Sequence, residues 1–184
     1  MIRCHVEHRS EVQGRKLVGY ASVYDQATRI GRSYEVIAPT AFRSVLAKDP
    51  DVRVLFNHEE GQLLGRTSSG TARLWSDTVG LGYEVELPDT TLGHDVRVLA
   101  ERGDLTGSSF GFLPGADELA LADDGLQVRT HTDIRELRDV SPVTFPAYEG
   151  ASVELRSLTI VRPDFGLRNK ARLIRARHTL EVTR

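Results

Sequence analysis

A single cysteine, Cys4, stands in 184 residues, which excludes an internal disulfide framework and every zinc site built on two or more thiolates. Long apolar runs are missing too. No stretch approaches the roughly 20 residues that cross a bilayer, and Met1-Ile2-Arg3-Cys4-His5 lacks the apolar centre of a secretory signal. There is no Gly-x-x-x-x-Gly-Lys-Ser phosphate loop, and no His-Glu-x-x-His helix. The formal net charge is only −2, so no overall excess of one sign points to nucleic acid or to an anionic surface. With 40% hydrophobic residues, the chain can bury a substantial core as one soluble domain with a tail.

The charge is unevenly spread. Residues 162–184 carry seven Lys or Arg against Asp164 and Glu181, about +5, which leaves residues 1–161 at about −7. The negative body disfavours nucleic acid as its ligand, while the basic tail could contact phosphates. Arg168, Lys170, Arg172, Arg175 and Arg177 interleave with Leu167, Leu173 and Ile174, a pattern for a basic helix or a solvated terminus. The expected organisation is a body over 1–161 and a tail over 162–184, jointed at Arg162-Pro163-Asp164-Phe165-Gly166.

Short strands dominate the body. Ile2 to Arg9 and Lys16 to Tyr24 read as a hairpin across Val12-Gln13-Gly14-Arg15, followed by a strand from Ser33 to Ile37. Thr40 is placed to cap a helix from Ala41 to Lys48 that buries Phe42, Val45 and Leu46. Val52 to Phe56 runs into a turn at Asn57-His58-Glu59-Glu60-Gly61, and Gln62 to Thr67, Thr71 to Trp75 and Gly80 to Leu87 read as a meander. A helix starts at Pro88-Asp89-Thr90-Thr91 and ends at Arg102-Gly103. A hairpin around Ala122-Asp123-Asp124-Gly125 and a long strand from Thr132 to Phe145, bent near Pro142, complete the body. About ten strands interrupted by two helices predict a mainly β, α+β fold, a curved antiparallel sheet or barrel with helices packed outside.

Gly107-Ser108-Ser109-Phe110-Gly111-Phe112 is the chemically suggestive stretch. Phe110 and Phe112 share one face of a strand and suit a core, while a hydroxyl beside glycines can be approached closely by other groups. A serine nucleophile needs a base, usually histidine, and the base needs an orienting acceptor. Six histidines are available: His5, His8, His58, His94, His131 and His178. His58 differs because it follows an apolar strand that ends abruptly in a turn. Spacing does not pair it with a serine, since catalytic partners meet in the fold. Asp133, Glu136 and Asp139 are the nearby carboxylates. Alternation puts Asp133, Leu137, Asp139, Ser141 and Val143 on one face, with Glu136 on the other, and a carboxylate among apolar side chains demands a partner. A metal site made from His58, Glu59, Glu60, His94 and Asp95 is the weaker reading of the same residues.

Several stretches in one order resemble a known family. Gly19-Tyr20-Ala21-Ser22-Val23, Val54-Leu55-Phe56-Asn57-His58-Glu59, Leu64-Gly65-Arg66-Thr67, Leu87-Pro88-Asp89-Thr90, Arg102-Gly103-Asp104-Leu105, Ser109-Phe110-Gly111-Phe112 and Asp139-Val140-Ser141-Pro142-Val143-Thr144-Phe145-Pro146-Ala147-Tyr148 are similar to segments of the prohead maturation proteases of tailed bacteriophages, relatives of the herpesvirus assemblin serine proteases. The resemblance implies an assemblin-like β-barrel with His58 as catalytic base, Ser109 as nucleophile and Asp139 as the third member. Relatives often have glutamate at that position, and the herpesvirus enzymes use a second histidine, which keeps His131 in view; Glu136 is the other alternative to Asp139 as third member. It implies no metal and no organic cofactor. Its expected substrates are the scaffold, a scaffold-like segment of the major capsid protein, and the enzyme itself, cut inside the assembling prohead in the host cytoplasm. It also suggests a homodimer and a removable tail. A capsid-assembly protein without catalysis is the alternative on the same barrel.

Overall fold

The computed structural model describes residues 2–6, 11–13 and 15–145. The boundary at 161 and the basic tail over 162–184 lie outside the described residues. Among those described, eleven strands and two helices follow in order: β1 (Ile2–Val6), β2 (Glu11–Gln13), β3 (Lys16–Val23), β4 (Thr28–Ile30), β5 (Ser33–Ile37), α1 (Arg43–Leu46), β6 (Arg53–Leu55), β7 (Leu63–Arg66), β8 (Ala72–Ser76), β9 (Gly80–Glu86), α2 (Thr91–Arg102), β10 (Gly107–Leu121) and β11 (Gln127–Val143). The fold is mainly β, as the alternating patterns require. Neither helix is long and apolar enough to cross a membrane.

The ladders form two sheets. One runs β1-β10-β11-β5-β4, with β6 also on β11 and β7 on β6; the other runs β2-β3-β9-β8. Two pairings depart from the expected antiparallel pattern, because β11 pairs parallel with both β5 and β6. The hairpin expected between the first strand and Lys16 to Tyr24 is also different: β1 joins β10, and the short β2 is the partner of β3. The meander breaks between β7 and β8. There Arg66 N donates to Thr71 Oγ1 and Ser69 Oγ donates to Arg66 O, so this turn carries the chain from one sheet to the other.

The helix expected from Ala41 to Lys48 shortens to α1, and Phe42, not Thr40, occupies its cap position. Its start is claimed by β11: Ile134 N donates to Ala41 O (2.9 Å) and Thr40 Oγ1 donates to Thr132 O (3.3 Å). α2 is built as predicted. Thr90 accepts from Gly93 N, and Gly103 ends the helix in the left-handed region at φ 80°, where a residue without Cβ costs least.

Between the sheets lies one core in which Leu17, Phe42, Val54, Leu81, Tyr83, Val85, Val96, Phe110 and Phe112 are fully buried. Phe42, Phe110 and Phe112 stand in a row, at centroid separations of 5.5 and 4.9 Å. Aromatic contacts of this kind add to area burial, so Phe110 and Phe112 pin the first half of β10 against the core.

Candidate active site

The site begins with the parity of β10. Ser108, Phe110 and Phe112 point one way by strand alternation, and Ser108 Oγ meets Tyr83 OH of the second sheet at 2.9 Å. Ser109 and Gly111 therefore face the opposite side. Across the β10–β11 ladder, Ser109 stands opposite Ser141 and Gly111 opposite Asp139, so all four positions share one face.

A turn delivers the histidine. β6 lies parallel to β11 at Asp139 and Val140 and then reverses through Asn57 and His58, both in the left-handed region at φ 55° and 59°. Such a conformation is costly for residues bearing Cβ, and asparagine tolerates it better than most. The end of β11 holds the turn in place. Asn57 N donates to Pro142 O (3.0 Å), and Asn57 Oδ1 accepts from Thr144 N (2.9 Å) and Thr144 Oγ1 (3.2 Å). Phe56 N donates to Gln62 O (2.9 Å) and closes its base.

The three elements converge on one imidazole. His58 Nε2 lies 2.7 Å from Ser109 Oγ, and His58 Nδ1 lies 2.5 Å from Asp139 Oδ1. Ser141 Oγ donates to the same Asp139 oxygen at 2.8 Å. Ser109 and Ser141 are fully buried, and His58 and Asp139 are only 6% and 4% exposed. Low local dielectric strengthens each of these contacts relative to water. A hydroxyl, an imidazole and a carboxylate in line can move a proton from oxygen to nitrogen and hold the resulting imidazolium.

Most of the other sequence candidates lie elsewhere. His131 is fully buried against Phe112, at a centroid distance of 5.1 Å, with Glu35 Oε2 3.5 Å from its Nε2. Glu136 pairs with Arg138 at 2.7 Å on the surface. Asp133 accepts from Ser44 Oγ of α1. Alternation had put Asp133 on the Asp139 face, but irregularities fall at Leu113/Pro114 and Gly111/Phe112 of the partner strand, and a bulge resets which way side chains point. His94 and Asp95 sit on the exposed side of α2, 4.0 Å apart. His5 is the register partner of Ser109 on β1, while His8 and His178 lie outside the described residues.

Two participants escaped the sequence reading. Asn57 carries a signal in hindsight, since an Asn-His pair after a strand suits consecutive left-handed residues. Ser141 shares the Asp139 face by alternation, but its residue type alone points to no role.

Comparison with known proteins identifies the family. The chain is 33% identical over 141 residues to the prohead protease of Enterobacteria phage HK97, a match covering 73% of this chain and 57% of that protein. The chain thus spans less than two thirds of that relative's length. No solved structure matches it. The family model described as caudovirus prohead serine protease matches residues 4–162, and with His58, Ser109 and Asp139 brought together inside that span, the chain belongs to the caudovirus prohead serine proteases.

Proposed function

We propose that this chain is a serine endopeptidase of prohead maturation, with Ser109 as nucleophile, His58 as general base and acid, and Asp139 as the orienting carboxylate. The observation that carries the proposal is the His58 ring bridging Ser109 Oγ and Asp139 Oδ1 through its two nitrogens. Ser109 Oγ attacks the scissile carbonyl carbon as its proton passes to His58 Nε2. The tetrahedral intermediate collapses with cleavage of the C–N bond, and His58 returns the proton to the departing amine. Water, activated by the same imidazole, then hydrolyses the acyl-enzyme and restores the serine. Asp139 keeps the proton on Nδ1 and balances the imidazolium in each half-reaction. Because Ser109 is fully buried, a local opening precedes the approach of a peptide.

As expected of a caudovirus prohead serine protease, its substrates in this reading are capsid proteins, namely the scaffold, or a scaffold-like segment of the major capsid protein, and the enzyme itself, cut inside the assembling prohead. The basic segment after Arg162 is a docking or packaging tail removed by self-cleavage, and the enzyme acts as a homodimer. Co-expression with the cognate capsid protein tests the activity. Processed capsid protein with the wild type and only full-length capsid protein with Ser109→Ala supports the protease. Normal processing by Ser109→Ala favours a non-catalytic assembly protein on the same fold.

A further inference from the structure

The geometry points to Ser141 as a fourth, positioning member of the site: its hydroxyl holds the Asp139 carboxylate oriented toward His58. This inference rests on the protease reading above and adds to it a residue that takes no bond-making or bond-breaking step of its own.

Three observations carry it. Asp139 is 4% exposed, and a carboxylate withdrawn from water needs hydrogen-bond donors to remain charged. Two donors converge on Oδ1, namely the His58 Nδ1–H at 2.5 Å and the Ser141 hydroxyl at 2.8 Å. Only the second is independent of the catalytic cycle. The hydroxyl is also preset. Ser141 lies two residues from Asp139 on one strand, so both side chains share a face. Pro142 follows it, and a residue before proline is confined to extended backbone. Opposite stands Ser109, so the residue that steadies the carboxylate sits in the same ladder rung as the nucleophile.

Among the residues whose side chains are described, few other charges face Asp139; beyond β10, Arg3 and His5 of β1 occupy the register positions of Gly111 and Ser109. From the turn after β6 the titratable group is His58. From β10 the opposing residues are Gly111 and Ser109, neither a charge. From β6 the register partner is Arg53, whose guanidinium is directed to Asp51 at 3.8 Å. On β11 itself Arg138 and Glu136 pair with each other at the surface. Ser141 is thus a neutral donor that fixes the Asp139 oxygen facing His58. Removing a donor to the charged carboxylate raises the affinity of the whole pair for a proton. The acid limb of the rate profile then moves to higher pH.

The test compares wild type, Ser141→Ala, Ser141→Thr and Ser109→Ala on a capsid-protein fragment. Melting temperature is recorded for each as a check on folding. Ser141→Ala is expected to lose about tenfold in kcat, a typical consequence of deleting one hydrogen bond to a charged group. KM should be unchanged and the acid limb displaced upward, and Ser141→Thr should restore both kcat and the limb. If Ser141→Ala keeps the wild-type kcat and acid limb while Ser109→Ala is inactive, the role of Ser141 is refuted and the triad stands. A fall in rate that Thr does not rescue, with an unmoved acid limb, likewise reduces Ser141 to packing. Full activity in Ser109→Ala overturns both readings together.

Discussion

Asn57 offers the most informative perturbation of the scaffold, because its backbone and side-chain contributions can be separated. It sits at φ 55°, and its Oδ1 accepts from Thr144 N and Thr144 Oγ1 at 2.9 and 3.2 Å. Alanine at this position meets the left-handed penalty of roughly 1–2 kcal/mol. It also forfeits two hydrogen bonds worth about 0.5 kcal/mol each at this solvent-exposed end. The sum is about 2–3 kcal/mol. Glycine loses the same acceptor but carries no steric penalty, and after its greater unfolded-state entropy it should recover about 0.5–1 kcal/mol relative to alanine. Aspartate keeps both the acceptor and the tolerance of this backbone, so it should lie within about 0.5 kcal/mol of the parent. Urea unfolding in an Ser109→Ala background measures the series without self-cleavage. Processing rates of the same variants with Ser109 intact should fall in the order Asp, Gly, Ala, since the turn aims His58. The reasoning fails if alanine lies within 0.5 kcal/mol of the parent, or if glycine and alanine are equally destabilised.

Elsewhere in the chain, Gly93→Ala should destabilise by about 1–3 kcal/mol although alanine is the better helix former. A Cβ on Gly93 would lie 2.1 Å from Pro88 O, and a melting temperature at or above wild type contradicts this. Tyr20 makes a prediction in alkali. Burial, followed by the hydrogen bond to Asp77 and the charge of that carboxylate, pushes the phenol from 10.0 up to about 12. The folded value is the raised one, so its stabilising contribution is complete below pH about 10 and is lost as pH rises toward about 12. Urea midpoints should decline across that window in wild type and decline less in Tyr20→Phe. Asp139→Asn should lower kcat by several orders of magnitude with little change in KM, because an amide no longer selects the Nδ1–H tautomer or balances the imidazolium. Equal losses in kcat and binding would place Asp139 outside the chemistry.

Much of this site was legible as residue types in order. Phe110 and Phe112 announced a core face, so the serines next to them had to divide between the two sides of a strand. His58 stood out at an abrupt strand end. What could not be read was the ladder that joins them. β10 and β11 form one long hairpin, whereas the alternation suggests a short hairpin around Ala122-Asp123-Asp124-Gly125 and a separate strand from Thr132 to Phe145. Four irregularities between Gly111 and Asp117 break the two-residue period, and periodicity loses track at each bulge. Pro114 and Pro142 deepen the problem, since a proline in an apparent central strand argues for an ending. Here Pro114 sits between two of the bulges, and Pro142 borders the His58 turn, where its carbonyl is needed by Asn57 N. The truncation of α1 has a similar origin. Thr40 and Ala41 satisfy local capping rules, but β11 takes their hydrogen bonds, and a tertiary ladder outweighs a local preference.

The central claim is that Ser109, activated by His58, is the nucleophile, and covalent labelling examines it most directly. Wild type, Ser108→Ala, Ser109→Ala and His58→Ala would be treated with a serine-reactive fluorophosphonate and the modified residue located by peptide mass mapping. The account predicts modification of Ser109 in wild type and Ser108→Ala, none in Ser109→Ala, and a rate reduced by orders of magnitude in His58→Ala. Modification confined to Ser108 or another residue, or labelling of Ser109 that does not depend on His58, would contradict it.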